Sequence, residues 1–389
     1  MFRVKTGVIA AAAAAAGIVG FAGPAFATTA ATATTAATAS AVARDADGGA
    51  VFVQTDNTAG NQVVAYRRAE NGTLTQVAAY NTGGLGGILA GSAVDHLASQ
   101  GSLTYDREQS VLLAVNAGSN TVSVFGVHGD RLRLRQVIAS GGTFPVSVAV
   151  HGDLVYVLNA LGGGSVQGFR LFGGFLGPIP GSSRALGLDP TASPQFTNTP
   201  GQVAFTPDGS RLIVTTKANG NDIDVFAVHG GGRLSATPVV NPEPGTVPFA
   251  ISFDVHGNLV IANAGPNSLA TFALSGAGAL SLLDSVPTGQ AATCWVAPAG
   301  QYLFASNAGS GSVTGFSSSD AGQLTSLGST ATNAGTVDAA AAAGGRFLYV
   351  QTGAAGIVDG YSVAADGSLT EIGSVTVPGA AGGEGIVAF

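Results

Sequence analysis

The last five residues of the chain, Gly385-Ile386-Val387-Ala388-Phe389, repeat Gly201-Gln202-Val203-Ala204-Phe205 at every position but one. The internal copy opens a unit, Thr199 to Val228, that reads as a succession of antiparallel strands. Gln202 to Phe205 is an apolar run, Pro207-Asp208-Gly209 a turn, and Leu212 to Thr216 a second run. A polar loop leads to Ile223 to Val228, and a Gly-rich turn to a fourth extended stretch near Val240. Short runs rich in Val, Ile, Phe and Thr, broken by Gly, Pro, Asn and Asp, carry strand-and-turn chemistry. Asp208-Gly209 suits the first turn, because glycine accepts the positive φ that such turns need.

The same four-part pattern recurs along most of the chain. It starts at Ala50 with AVFVQTD, QVVAY and TLTQVAAY, which match the second, third and fourth strands of the unit; no first strand precedes them. An insertion, Asn81 to Gln100, follows. Further units run from Ser102 to Ile138, from Pro145 to Leu171 with a Gly/Pro-rich extension to Asn198, from Thr199 onward, from Phe249 to Val286, from Ala292 to Thr330 and from Asp338 to Val375. Most second-strand ends (Asn159, Thr216, Asn263, Asn307, Thr352) are spaced by about 45 residues, close to a propeller-blade period. The strand missing from the first unit stands at the C-terminus. The chain is therefore expected to be all-β, a seven-bladed β-propeller of four-stranded antiparallel blades. Its ring closes when the C-terminal strand pairs into the first blade, which removes the open sheet edge. Strands apolar at consecutive positions, such as Leu212-Ile213-Val214, fit blades covered on both faces.

The residues before the repeats have a different character. Arg3 and Lys5 supply a positive start, Gly7 to Gly23 an apolar segment, and Ala25-Phe26-Ala27 an A-x-A cleavage pattern, which together read as a secretory signal peptide over 1–27. The Ala/Thr-rich stretch 28–49 reads as a linker, and 50–389 as the propeller. The expected product is a secreted monomer with no membrane span after cleavage. An excess of acidic over basic residues, 22 to 15, excludes a nucleic-acid backbone as partner, which would require clustered Lys and Arg. The alternation Arg131-Leu132-Arg133-Leu134-Arg135 reads as the solvated face of an edge strand. A single cysteine, Cys294, precludes an intrachain disulfide, and no His or Cys pair has metal-ligand spacing, so neither metal nor cofactor is expected.

VAFTPDGSRLIV (Val203 to Val214), LLAVNAGSNTVSVF (Leu112 to Phe125) and LFASNAGSGSVTGF (Leu303 to Phe316) resemble the blades of lactonase-type seven-bladed propellers. That group includes 6-phosphogluconolactonase, 3-carboxymuconate cyclase and the YVTN repeat proteins. The resemblance covers Ala50 to Phe389 and implies the fold, with a lactone-type substrate at the central channel. The family's enzymes carry an Arg-His pair just before a first strand and an acidic residue after a second-strand Asn. Here Pro200-Gly201-Gln202 and Lys217 stand at those positions. A neutral glutamine cannot bind a carboxylate or phosphate bidentately as a guanidinium does, so no catalytic residue is carried over.

Residues that break the internal repeat are the candidates for chemistry. Lys217, in place of the usual Asn-Ala-Gly, could hold an anion or polarise a carbonyl. Asp95 and His96, in the insertion, could supply a general base; a capping Asp beside a surface His is the plainer reading. Cys294 lacks a sequence neighbour that would activate a thiol and reads better as a buried small residue beside Trp295. Gln202, Ser147, Thr293 and Asp338 are expected at equivalent first-strand positions, forming with Cys294 a polar lining for a hydroxylated ligand. The recurring Asn116, Asn159, Asn263 and Asn307 read as turn residues that tolerate the left-handed region. Two functions follow from these residues. One is hydrolysis or isomerisation of a small lactone by Lys217, His96 and Asp95. The other is non-catalytic recognition of a sugar, peptide or cell-envelope component.

Overall fold

The computed structural model describes residues 49–389. The expected signal peptide and nearly all of the expected linker fall on residues 1–48, outside the described residues. The rest forms seven antiparallel sheets, each numbered here as a blade in chain order from Ala50. In blade 1 the strands Ala50–Gln54, Gln62–Arg68 and Leu74–Asn81 are joined by Ile386–Ala388 from the chain end. Val51, Phe52 and Val53 pair with Ala388, Val387 and Ile386. The ring is closed as the repeated pentapeptide predicts.

Each first strand packs on the first strands of the blades before and after it, all the way round. The second strands are the most deeply buried. Val111–Asn116, Tyr302–Asn307 and Phe347–Thr352 are buried at every position, because neighbouring blades cover both faces of the sheet. A recurrent clasp joins adjacent blades. Tyr156, Tyr302 and Tyr349, all in second strands, donate their hydroxyls to the outer-turn carbonyls of Gly232, Ala365 and Gly72 in the next blade, each at 2.6 Å. The Tyr349 clasp crosses the closure from blade 7 to blade 1. Blade 3 departs from the pattern, its outer strand being split into Phe175–Pro178 and Arg184–Ala185. The short helix Gln195–Asn198 follows.

The recurring asparagines differ from the turn reading. Asn116, Asn159, Asn263 and Asn307 are buried strand ends, and Asn116 has φ −124°. Their amides serve the sheet: Asn307 Nδ2 reaches Thr314 Oγ1 at 2.9 Å and its Oδ1 accepts from Thr293 Oγ1 at 2.6 Å. The left-handed turn positions fall at Asn120, Asn221 and Asn267, a few residues on.

Phe389 stacks on Tyr105 of blade 2, with ring centroids 4.8 Å apart. Deleting Gly385 to Phe389 strips a strand and this aromatic contact from two blades at once. The expected loss exceeds that of one large-to-small core change and lowers the melting temperature by roughly 10 °C or more. A truncated chain that melts with the intact one would show that the ring does not depend on this strand.

Candidate functional site

The insertion between blades 1 and 2 crosses the axis of the ring. Ser99 Oγ donates to Val146 O of blade 3 at 2.9 Å, and Gln100 N to Gly201 O leading into blade 4 at 3.2 Å. The Gln100 amide brackets Val296 of blade 6, donating to its carbonyl at 2.9 Å and accepting from its N–H at 3.0 Å. Trp295 Nε1 donates to Ser99 O at 2.6 Å, and His96 N to Gly382 O at 2.8 Å. A segment touching blades 3, 4 and 6 and the loop before the closing strand lies across the centre. Two glycines make room for it. A Cβ at Gly353 would stand 1.6 Å from Val94 O, and one at Gly382 would stand 2.1 Å from His96 Nε2.

Lys217 is buried beneath this strap. Its Nζ donates to Ala98 O and Phe196 O, both at 2.6 Å, and to Thr199 Oγ1 at 3.2 Å. It also lies 5.2 Å from the Phe249 ring centroid. All three ammonium hydrogens are directed at protein oxygens or hydroxyls. Ala98 (φ 47°) and Lys217 (φ 51°) are both held in the left-handed region, a strain that the surrounding contacts must impose. Burial pushes the Lys217 pKa down to about 7, against the pull of the Asp95 carboxylate.

Asp95 organises the strap from within. Its two oxygens accept from Leu97 N at 2.8 Å and Ser99 N at 2.9 Å. Burial raises its pKa to about 6, while those N–H groups and Lys217 pull it down. His96 turns away from this pair onto Gly382; burial lowers its pKa, and its Nδ1 has no partner among the described residues. The structure thus brings Asp95 and Lys217 together and sends His96 elsewhere.

The other expected lining residues are dispersed. Ser147 sits opposite Leu158, across a bulge after Pro145. Gln202 O accepts from Thr215 N at 3.2 Å and Gln202 N donates to Thr215 Oγ1 at 3.1 Å at the equivalent place in blade 4, and its Oε1 accepts from Ile251 N at 2.5 Å. Thr293 is not equivalent to these. It pairs with Asn307, and a bulge puts Trp295 opposite Ser306 instead, so Trp295 takes the inner position in blade 6. Cys294 is half-buried and keeps its proton, because burial pushes its pKa up to about 12.

Cys294 and Asp95 meet in a pocket of about 190 Å³ beside the strap. Phe196, Phe249, Trp295 and Val94 make its walls. Phe249 and Trp295 meet edge to face at 5.0 Å. Asp338, Gln202, Ser147 and Thr293 lie outside it.

A second group was not legible in the sequence. Glu384 is fully buried just before the closing strand and accepts from Gly101 N at 2.9 Å. The buried Asp338 carboxyl interacts with it electrostatically, adding to the cost that burial sets on its ionisation, and accepts from Ala339 N at 2.9 Å. Asp56 accepts from Glu384 N at 2.8 Å and from Gln54 Nε2 at 2.5 Å. Burial raises all three carboxyls, Asp56 to about 8. Two acids buried close together favour protonation of one of them, because like charges there repel without water to screen them. Among the described residues no three His, Cys, Asp or Glu groups are placed to hold a metal ion.

No family model matches the sequence, and no curated protein does. Solved structures do. A Bacteroides uniformis protein described as a candidate 6-phosphogluconolactonase aligns with TM-score 0.71 and 19% identity over 88% of this chain and 100% of that one. The periplasmic gluconolactonase of Pseudomonas aeruginosa aligns with TM-score 0.70 and 18% identity, over 87% and 98%. Virginiamycin B lyase from Staphylococcus aureus gives 0.53 and 13%, over 75% and 89%. At these identities the likeness establishes the fold alone, a seven-bladed propeller.

The buried groups set a pH dependence with a definite sign. An acid whose pKa is raised on folding stabilises the fold below its unfolded pKa and loses that contribution as pH rises through the folded value. Asp56 therefore loses its stabilising contribution as pH rises from about 4 to about 8 and Asp338 as it rises to about 7, and Glu384, raised by burial, acts in the same sense. Lys217, lowered on folding, acts in the opposite sense; its contribution is present above its unfolded pKa and lost as pH falls through about 7. The melting temperature is expected to fall from pH 5 to pH 8, and Asp338→Asn to flatten that fall. A flat wild-type profile would show that these carboxyls ionise without penalty.

Proposed function

We propose that this lactonase-like propeller binds a small ring compound in the pocket beside the strap and does not turn it over. The supporting observation is the division of labour around that pocket. Its walls are apolar and aromatic, while Lys217 and Asp95 direct their hydrogen bonds to the strap and its neighbours. A cavity near 190 Å³ suits a single ring, since a dry apolar cavity of about 150 Å³ accommodates benzene. The protonated thiol of Cys294 adds a weak donor rather than a nucleophile.

Hydrolysis of a lactone is the second reading. It is favoured by Asp95, which lines the pocket and whose pKa is raised to about 6, within the range of a general base. Lys217 would polarise the carbonyl, but to do so it must first release Ala98 O or Phe196 O. His96 would act only if its ring left Gly382. The gluconolactonase name of one structural neighbour points the same way.

Trp295 is the chain's only tryptophan and lines the pocket, so its fluorescence reports occupancy directly. Titration with a panel of lactones and aromatic ring compounds is expected to give a saturable change, weakened about tenfold or more by Cys294→Leu, which fills the cavity. Turnover of a lactone that disappears in Asp95→Asn would replace binding with hydrolysis. A silent Trp295 without turnover would defeat both readings.

We also read the protein as exported, on the strength of the charged, apolar and A-x-A segments of 1–27. Protein recovered from outside the cytoplasm is expected to begin near Thr28 on N-terminal sequencing, whereas an intact Met1 would refute export.

A further inference from the structure

Phe172 is 86% exposed and Phe175 52% exposed, at the tip of the hairpin that joins Ser165–Phe172 to Phe175–Pro178. Neither supports the core. The hairpin is nevertheless held firmly. The Gln136 side chain, on the outer strand of blade 2, donates to Leu176 O at 3.0 Å and accepts from Leu176 N at 2.7 Å. This side-chain bracket docks the hairpin of blade 3 on the edge of blade 2.

The strand that carries Gln136, Arg131–Ala139, has three arginines. Leu132 is buried, whereas Leu134, two residues on in the same register and just before a bulge at Arg135, is 40% exposed beside Arg133 and Arg135. Arg133, Leu134, Arg135, Gly173 and Phe175 line one shallow depression. Among the described residues none of Arg131, Arg133 and Arg135 forms an ion pair. The neighbouring acids are engaged elsewhere, Asp130 with Arg67 at 2.7 Å and Asp153 with Arg170. Arginines on an edge strand serve to prevent edge-to-edge pairing, and that role explains the charges. It does not explain two phenylalanines presented on a rigid glycine turn above them.

We propose that this face docks on an anionic lipid surface, with Phe172 and Phe175 entering the boundary of the acyl chains and Arg131, Arg133 and Arg135 meeting the phosphates. Charge complementarity carries the assignment. A chain of net charge −7 is repelled by an anionic membrane everywhere except at a local positive face, so this patch also sets the orientation of approach. The apolar tip chooses between anionic partners. A soluble polyanion offers phosphates or carboxylates but no apolar phase, and would leave both phenylalanine rings in water. A lipid surface accepts rings and cations at adjacent depths. The proposal is independent of the ligand assigned to the axial pocket.

The test is cosedimentation of the protein as purified from the producing cell with phosphatidylcholine vesicles, with and without phosphatidylglycerol. Binding is expected only to the anionic vesicles and to weaken with salt. Arg133→Ser should weaken it about fivefold, and Phe172→Ser with Phe175→Ser should abolish it. All these side chains are surface-exposed, so an unchanged melting temperature checks each variant. Absence of anionic-vesicle binding by the wild type would overturn the proposal. So would binding that survives the phenylalanine pair and is matched by heparin in solution, which would make the face a polyanion site.

Discussion

Ring closure at Glu384 is the constraint on which the rest of the structure depends. Its carboxyl accepts from Gly101 N at the start of blade 2 and interacts electrostatically with the buried Asp338 of blade 7, while its N–H donates to Asp56 in blade 1. One residue links three blades at the point where the first and last strands meet. Burying Glu384 beside Asp338 favours the protonated carboxyls, so closing the circle and holding a proton there are linked events. The strand that follows, Ile386–Ala388, supplies a ladder, but its direction into blade 1 is set by these buried acids.

The strap turns what would be an open channel into part of the core. Asp95, Ser99 and Gln100 spend their hydrogen-bonding capacity on backbone, either of the strap itself or of blades facing one another across the axis. Lys217 does the same from below. An unpaired ammonium buried there would be strongly unfavourable; three oxygen partners and the face of Phe249 make it tolerable. Polar residues near the axis therefore hold the plug, and the remaining open space is walled by Phe196, Phe249 and Trp295. The two halves of the site have separate tasks: charge fixes the strap, and apolar surface is left to meet a ligand.

The blades and their closure were legible because strands and turns are written locally. Alternating and consecutive apolar runs, Pro-Asp-Gly turns and the GIVAF repeat are each read within a few residues. The asparagines show where that reading slips. Asn116 and its equivalents recur at strand ends, and recurrence alone does not distinguish a turn residue from one whose amide is buried in the sheet. Thr293 shows the same limit: a one-residue bulge moves Trp295 into the inner position, and bulges leave no dependable trace in composition. Asp95 and Lys217 were selected as exceptions to the repeat, and they do lie together, but His96 next to Asp95 faces the other way.

By itself the sequence determined the number of blades, their order, the strand that closes the ring and the place of the insertion between the first two blades. Each of these depends on patterns repeated at short range. The tertiary structure alone decided which groups meet: Trp295 with Ser99, Lys217 with Ala98, Glu384 with Gly101, and the phenylalanine hairpin with the arginine strand. These partners are separated by many residues in the chain, and their bonds exist only after closure brings distant loops to a common centre. Desolvation acts there too, since the same carboxyl is an ordinary acid in a loop and a proton-holding latch when seven sheets exclude water from it.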